Sequence, residues 1–286
     1  MNALGSYVES WSPEPVTDTD AFPAGPAAAL SAALDLPRPA AVAGQALPPL
    51  WHWLYFLEWP RQAEIGADGH PADGHFLPPL PDRRRMFAGG RLEVRAPLVL
   101  GTPAERTRSL GDVAVKHGRT GEILFVTVRS EISQDGTVRV VEEQDIVYRS
   151  GEDAGRTALA VLDVTGEPES AAEWQQVWTP DPVLLFRFSA LTANAHRIHY
   201  DEPYVTGTEG YPGLVVHGPL LVLLLLELAR TRAPERAIPS LSYRLRRPVF
   251  AGEHLLATGV PAEGGAALQV DSARAEAVAT ADVAFA

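Results

Sequence analysis

The most apolar stretch of the chain is a run of leucine and valine at residues 220–226. Gly218 and Pro219 stand directly before it, and proline is favoured at the first position of a helix. Glu227 and Arg230 interrupt the apolar run well before the ~20 residues that a membrane span requires. Because the segment is apolar on nearly every side, it predicts one helix enclosed by other structure.

Runs rich in β-branched residues predict strands on both sides of this helix. In the first half, Asp135 and Gly136 form a hairpin turn signal between two such runs. The predicted strands are residues 123–132, 138–148, 182–190, 240–250, 254–261 and 266–284. Further predicted elements are a helix at 26–36, a second helix near 51–65 and a linker over 150–180.

A single buried helix against an antiparallel sheet is the plan of a hot-dog domain, and the first half offers a similar set of strands. The 286 residues also exceed the usual ~100–150 of one domain. The simplest architecture is therefore an α+β double hot-dog, with an N-terminal domain at residues 1–160 and a C-terminal domain at residues 161–286.

Composition narrows the function classes. The chain has no cysteine, which excludes disulfides, thiolate nucleophiles and zinc–cysteine sites. A net charge of −12 argues against a nucleic-acid binder, whose surface would be basic. The N-terminus lacks the charged and apolar regions of a secretory signal, so a cytoplasmic protein with no membrane association is expected. No glycine-rich phosphate loop follows a strand, and no cofactor is expected.

Residues 66–75 contain two Asp-Gly-His units, at 68–70 and 73–75. Histidine and aspartate are common metal ligands, but glycine and proline dominate this segment. It is interpreted as a flexible loop without chemistry, and no metal site is predicted.

Polar residues are most concentrated at 188–201 and 209–219, immediately before the apolar helix. Free backbone N–H groups and the positive end of a helix can hold negative charge on a substrate oxygen. Gly218 suits this role because the missing Cβ lets a substrate approach the backbone. His199 can exchange a proton, since the pKa of imidazole lies near neutrality. This pairing fits the addition or removal of water at an α,β-unsaturated thioester.

Two segments carry a resemblance to a known superfamily: residues 185–201 read LFRFSALTANAHRIHYD and residues 210–220 read GYPGLVVHGPL. They resemble the MaoC-type dehydratases, and more narrowly the branch of mesaconyl-CoA hydratase and hydroxyacyl-thioester dehydratase. Residues 51–56, 84–90 and 243–252 are also similar to that branch. The resemblance implies a double hot-dog in which the second half carries the motif and a degenerate first half shapes the acyl pocket.

The motif of the superfamily places a catalytic aspartate five residues before the catalytic histidine, where this chain has Asn194. An amide can orient water but cannot take its proton at neutral pH. His199 is therefore the expected acid/base, and Asn194 is expected to position water or substrate.

The surrounding residues receive supporting roles. Asp201 is a candidate for orienting His199. His196 and His217 are expected to be structural, with His217 fixing the loop that presents Gly218. Arg197 is either a surface charge or a contact to an anion. The candidates for substrate contact are Arg197, Tyr200 and Arg246, the last as one of the arginines that could meet the phosphates of coenzyme A.

The expected substrate is an acyl-CoA thioester, first of the mesaconyl-CoA type and alternatively a 3-hydroxyacyl thioester of CoA or acyl carrier protein. A homodimer is expected. Two alternatives belong to other classes. His199, Asp201 and His217 provide the residue types of a non-haem iron oxygenase. The replacement by Asn194 also keeps open an acyl-thioester binder without catalysis.

Overall fold

The computed structural model describes residues 4–81, 84–118, 121–149 and 161–286. The α-helices are α1 (Leu4–Val8), α2 (Ala24–Ala33), α3 (Pro182–Leu191), α4 (Glu202–Gly207) and α5 (Gly218–Arg232). The strands are β1 (Val16–Asp20), β2 (Arg84–Val94), β3 (Ala104–Gly118), β4 (Gly121–Gln134), β5 (Thr137–Arg149), β6 (Trp174–Trp178), β7 (Ser240–Leu245), β8 (Leu255–Ala262), β9 (Gly265–Ser272) and β10 (Ala275–Ala284). Short 3-10 turns lie at Trp51–Leu54, Gln62–Glu64 and Arg197–His199.

All ten strands form one antiparallel sheet in the order β1-β3-β4-β5-β2-β7-β10-β9-β8-β6. The first five strands of the chain occupy one half of the sheet, and the last five occupy the other. Read from its outer edge, each half has the same internal order, because β6-β8-β9-β10-β7 repeats β1-β3-β4-β5-β2. The equivalent strands β2 and β7 pair and join the halves. This duplicated topology confirms the α+β double hot-dog.

The predicted apolar helix is α5, and all ten residues from 220 to 229 are buried. It packs against β6, β8, β9 and β10. Buried Glu227 forms an ion pair with Arg230, whose Nε lies 2.9 Å from Oε2, so the carboxylate that ends the apolar run is compensated. Within the described residues, no helix is both long enough and apolar enough to cross a membrane.

The hairpin prediction is also confirmed. Asp135 and Gly136 link β4 to β5 with φ values of 52° and 72°, the left-handed geometry of a tight hairpin turn. The predicted helix at 26–36 is α2, which begins and ends a few residues earlier. The predicted strand at 266–284 is the pair β9 and β10, joined by a turn.

Three predicted elements are wrong. Residues 182–190 form helix α3 instead of a strand, because Asp181 accepts a hydrogen bond from the N–H of Leu184 (2.7 Å) and Pro182 opens the helix. The predicted helix near 51–65 contains only two 3-10 turns. The predicted linker at 150–180 contains β6, and the proposed domain boundary at 160/161 borders residues 150–160, which lie outside the described residues.

Candidate active site

His199 ends a 3-10 turn between α3 and α4 and is only 7% exposed. Its Nδ1 donates a hydrogen bond to the carbonyl oxygen of Val215 (2.7 Å), and because a carbonyl only accepts, this bond fixes the proton on Nδ1. Burial lowers the pKa of His199 to about 4, against the opposing effect of the Val215 carbonyl. At neutral pH the ring is therefore uncharged, and Nε2 carries a lone pair that can accept a proton.

His217 places this ring at the start of α5. The two imidazoles stack with centroids 3.6 Å apart and planes 17° apart, and His217 is the residue that precedes the helix. The Nε2 of His217 and the hydroxyl of Ser189 are hydrogen-bonded at 2.9 Å. Burial lowers the pKa of His217 well below its usual value. The role of His217 in fixing the loop before Gly218 stays a prediction, and Ser189 is a further member of the site that was not singled out from the sequence.

Gly218 is the first residue of α5, and Pro219 after it has no N–H, so the backbone N–H of Gly218 is the first that the helix offers. Substrate was expected beside the Cα of Gly218, but the side chain of Leu245 fills this space. A Cβ added at Gly218 would lie 2.3 Å from Cδ1 of Leu245. In this structure the missing side chain makes room for Leu245, and no open approach to the backbone lies on that side.

A double-mutant cycle tests this contact. Gly218→Ala should destabilise the fold by ~1–3 kcal/mol, because the new methyl group overpacks against Leu245. Adding Leu245→Ala should recover most of that loss. Urea unfolding of the two single variants and the double variant gives the coupling. If the two losses simply add, Leu245 is not the group that requires a glycine.

Asn194 lies in the tight turn after α3. Its Oδ1 accepts a hydrogen bond from the N–H of His196 (3.0 Å), and its own N–H donates to the carbonyl of Ser189 (2.9 Å). Ala193 before it has a φ of 50°, a strained conformation for alanine. Since Oδ1 is engaged within the turn, the Nδ2 hydrogens are what Asn194 can offer to a bound molecule.

The expected role of Asp201 is wrong. Its carboxylate accepts hydrogen bonds from Nη2 (2.8 Å) and Nε (2.9 Å) of Arg197 and from the N–H of Tyr204, which caps α4. The group that orients His199 is the carbonyl of Val215 instead. His199 ends a 3-10 turn and Asp201 follows two residues later, and the two side chains have different partners.

Arg197 is engaged within the protein. Besides Asp201, it donates to the carbonyl of Ala67 (3.0 Å) and lies over the ring of Tyr204, 4.0 Å from its centroid. These contacts join two loops of the chain, and the side chain is still 37% exposed, so its contact to a substrate anion stays a prediction.

The ligand set of an iron oxygenase does not form. Asp201 is turned to Arg197, and the rings of His199 and His217 lie nearly parallel. Nitrogen lone pairs lie in the plane of an imidazole, so stacked rings cannot direct them at one shared ion.

The two remaining candidates for substrate contact stay predictions. Tyr200 is 44% exposed, and its hydroxyl donates to the carbonyl of Ala195 (2.9 Å). Arg246 follows β7 with an exposed side chain, and its backbone N–H donates to the carbonyl of Val278.

The loop at residues 66–70, which was expected to be flexible, docks against the turn that carries His196. The rings of His70 and His196 have centroids 4.0 Å apart, and His196 meets His199 edge-on at 5.5 Å. The carbonyl of Asp68 accepts from the N–H of Arg197 (2.8 Å). The loop interpreted as flexible therefore forms a wall of the site, one ring away from His199.

Glycine is what allows this docking. Gly69 has a φ of 92°, and a Cβ there would lie 1.8 Å from the carbonyl oxygen of Ala195. Burial, together with His70 and His199, lowers the pKa of His196 to about 2. The carboxyl of Asp68 has a pKa of about 2 because its hydrogen bonds and attraction to His70 outweigh the opposing effect of burial. The Asp-Gly-His unit was a visible signal, but its partner lies far away in the sequence.

The family model of hydroxyacyl-thioester dehydratase type 2 matches residues 50–251, which include every part of the site. The chain belongs to this family. It is 49% identical over 224 residues to the mesaconyl-C(4)-CoA hydratase of Chloroflexus aurantiacus, covering 78% of each chain. It is also 28% identical over 229 residues to the mitochondrial hydroxyacyl-thioester dehydratase type 2 of Schizosaccharomyces pombe, covering 73% of this chain and 76% of the relative.

Solved structures agree on the fold. A MaoC-like dehydratase from Phytophthora capsici superposes with a TM-score of 0.67 over 96% of both chains, at 14% sequence identity. This likeness shows the fold, and the family model and the two sequence relatives confirm the resemblance to the branch of mesaconyl-CoA hydratase and hydroxyacyl-thioester dehydratase.

Proposed function

We propose that this protein is a hydro-lyase that adds or removes water at the 2,3-double bond of an acyl-CoA thioester, with a mesaconyl-CoA-type dicarboxylic substrate. The observation that carries the proposal is the buried His199 ring, held by the Val215 carbonyl and stacked on the residue that precedes α5. The 49% identity to a mesaconyl-C(4)-CoA hydratase supports the substrate class.

In the hydration direction, Nε2 of His199 takes a proton from water while the water oxygen bonds to C3. The electron pair of the double bond moves through C2 onto the thioester oxygen, where the N–H of Gly218 and the positive end of α5 stabilise it. The protonated His199 then gives its proton to C2. Dehydration is the reverse. The uncharged state of His199 at neutral pH suits the first step.

Asn194 holds the attacking water through Nδ2 in this mechanism. Asn194→Ala should lower the turnover number by ~100-fold, a smaller loss than at His199, because one hydrogen-bond donor is removed. Asn194→Asp keeps the oxygen that accepts from His196 and serves as the control for the turn, with an unchanged melting temperature. Steady-state kinetics of Asn194→Ala at the wild-type rate would contradict this role.

The roles of the two halves are part of the proposal. A division near residue 160 separates an N-terminal hot-dog domain that shapes the acyl pocket from a C-terminal domain that carries the chemistry. The repeated strand order supports a duplication, and His199, Asn194 and Gly218 all belong to the second half. Arg246, Tyr200 and the loop at 66–70 are the proposed surroundings of the bound thioester. We also propose a homodimer in the cytoplasm, to be checked by light scattering and by cell fractionation.

The runner-up is a 3-hydroxyacyl-thioester dehydratase, which the family model and the relative from Schizosaccharomyces pombe support. A panel of CoA thioesters decides between the two. Mesaconyl-CoA, straight-chain enoyl-CoA esters and 3-hydroxyacyl-CoA esters are assayed separately, with product identification by mass spectrometry. The proposal predicts the highest kcat/KM for the dicarboxylic ester. Preference for straight chains supports the runner-up, and binding without turnover supports an acyl-thioester binder.

A further inference from the structure

A second cluster of chemically active side chains lies beside the proposed active site and has no part in the proposed mechanism. It consists of Asp68 and His70 from one loop and His196 from the turn after α3. One carboxylate oxygen and one ring nitrogen from each histidine lie within 4.8 Å of one another. All three residues are partly buried and remain partly open to solvent.

The donor types and their spacing match a transition-metal ion. A zinc ion bound at ~2.0–2.2 Å by imidazole nitrogen and carboxylate oxygen holds tetrahedral ligands ~3.3–3.6 Å apart. One pair here, Nδ1 of His70 and Oδ2 of Asp68, is 3.0 Å apart. Side-chain rotations that move the donor atoms by about 1 Å would bring the three groups to that geometry.

Each of the two histidines has at least one ring nitrogen that makes no hydrogen bond to the described residues. The ring of His196 makes no hydrogen bond to any of the described residues. It contacts the rings of His70 and His199. Nδ1 of His70 is hydrogen-bonded to Asp68 and would release its proton on binding a metal, and Nε2 makes no hydrogen bond to the described residues. Two imidazoles and one carboxylate are a donor set that zinc and similar divalent ions bind in proteins.

The backbone builds this cluster independently of any ion. The Asp68 carbonyl accepts from Arg197, and Gly69 lies against the carbonyl of Ala195. Both contacts hold the loop with its side chains directed at His196. A site whose ligands are already close together loses less conformational entropy on binding a metal than one assembled from mobile loops.

We propose that Asp68, His70 and His196 bind one divalent transition-metal ion of the zinc type, with a fourth position open to water. The bound ion fastens the loop at 66–70 to the turn that carries His196, next to His199. It is a binding site additional to the hydro-lyase chemistry and does not depend on it.

Titration of the metal-free, tag-free full-length chain with zinc sulfate tests the site by calorimetry. One equivalent should bind with a dissociation constant in the micromolar range or below. Asp68→Asn and His70→Gln should each weaken binding by ~100-fold, since even partners of metal ligands are worth 10- to 100-fold. Cobalt(II) in place of zinc should give the visible absorption of a four-coordinate site in the wild type and lose it in both variants.

The second Asp-Gly-His unit provides a matched control. Asp73→Asn and His75→Gln change the same residue types in the same loop, but His75 is exposed and bonds the carbonyl of Glu14. Both controls should bind zinc like the wild type. Circular dichroism and melting temperature establish that each variant is folded, and Asp68→Asn retains a side-chain oxygen for the His70 bond.

Three results would overturn the proposal. The first is no binding to the wild type at ~100 μM zinc, which is about 100-fold above a micromolar dissociation constant. The others are equal binding by Asp68→Asn and the wild type, or equal weakening of binding in the two controls. Because the measurement follows bound metal and not turnover, its failure leaves the hydro-lyase assignment intact. Likewise, an inactive protein that binds zinc at these residues would contradict only the proposed reaction.

Discussion

Replacing His199 with glutamine should lower the turnover number for acyl-CoA hydration by ~1,000-fold or more, because glutamine cannot take a proton from water. Glutamine keeps about the length of the ring, but its amide nitrogen takes the place of Nε2, so the hydrogen bond from Nδ1 to the Val215 carbonyl is removed. Circular dichroism and the melting temperature establish that the variant is folded. Steady-state kinetics with the best substrate of the thioester panel measures the loss.

His75→Gln is the control for this experiment, since it changes an exposed histidine outside the site. It should keep the wild-type rate. A folded His199→Gln variant with near wild-type turnover would show that another group carries the proton.

Gly69→Ala should reduce both stability and activity. An alanine at φ 92° is strained, and its Cβ would lie 1.8 Å from the backbone oxygen of Ala195, which cannot rotate away. The loop must therefore leave the turn that carries His196, and the wall beside His199 opens. We expect a loss of stability of ~2 kcal/mol beyond the cost of the backbone conformation alone, together with a ~10-fold or greater fall in kcat/KM.

Gly44→Ala isolates the backbone cost. Gly44 has a similar φ of 82°, but a Cβ there meets nothing within 4 Å. This variant should lose only ~1–2 kcal/mol and keep its activity. Chemical unfolding and kinetics of the two variants are compared directly. Equal losses in both would mean that the loop at 66–70 is not held against Ala195.

The features that were predictable from sequence are those that short segments determine. The apolar residues 220–226 with Pro219 define α5, and Asp135-Gly136 defines the hairpin, because helix starts and tight turns depend on neighbouring residues. The position of His199 near the start of α5 followed from the short distance between the two polar segments. The resemblance of these segments to a known superfamily then supplied the fold of the whole chain.

Features that depend on distant contacts were not predictable in this way. The apolar residues of α3 are too few for periodicity to separate helix from strand, and the capping by Asp181 decides between them. The orientation of Asp201 depends on Arg197, whose own position depends on the carbonyl of Ala67.

Long-range packing also explains why two glycines are required. Gly218 was expected to admit substrate to the backbone, and Gly69 lies in the segment that was interpreted as a flexible loop. Gly218 is close to Leu245 of another element, and Gly69 is close to Ala195. In both cases the sequence showed a residue without a side chain, but only the fold shows which group occupies the space.

The proposed mechanism requires that His199 and the first N–H of α5 act on the same bound thioester. The most direct measurement is a crystal structure of the wild-type chain with an unreactive saturated analogue of the best substrate. We expect the thioester oxygen at ~3 Å from the backbone nitrogen of Gly218, with Nε2 of His199 within one water molecule of C3. An acyl chain bound elsewhere, with His199 still enclosed and out of reach, would contradict it.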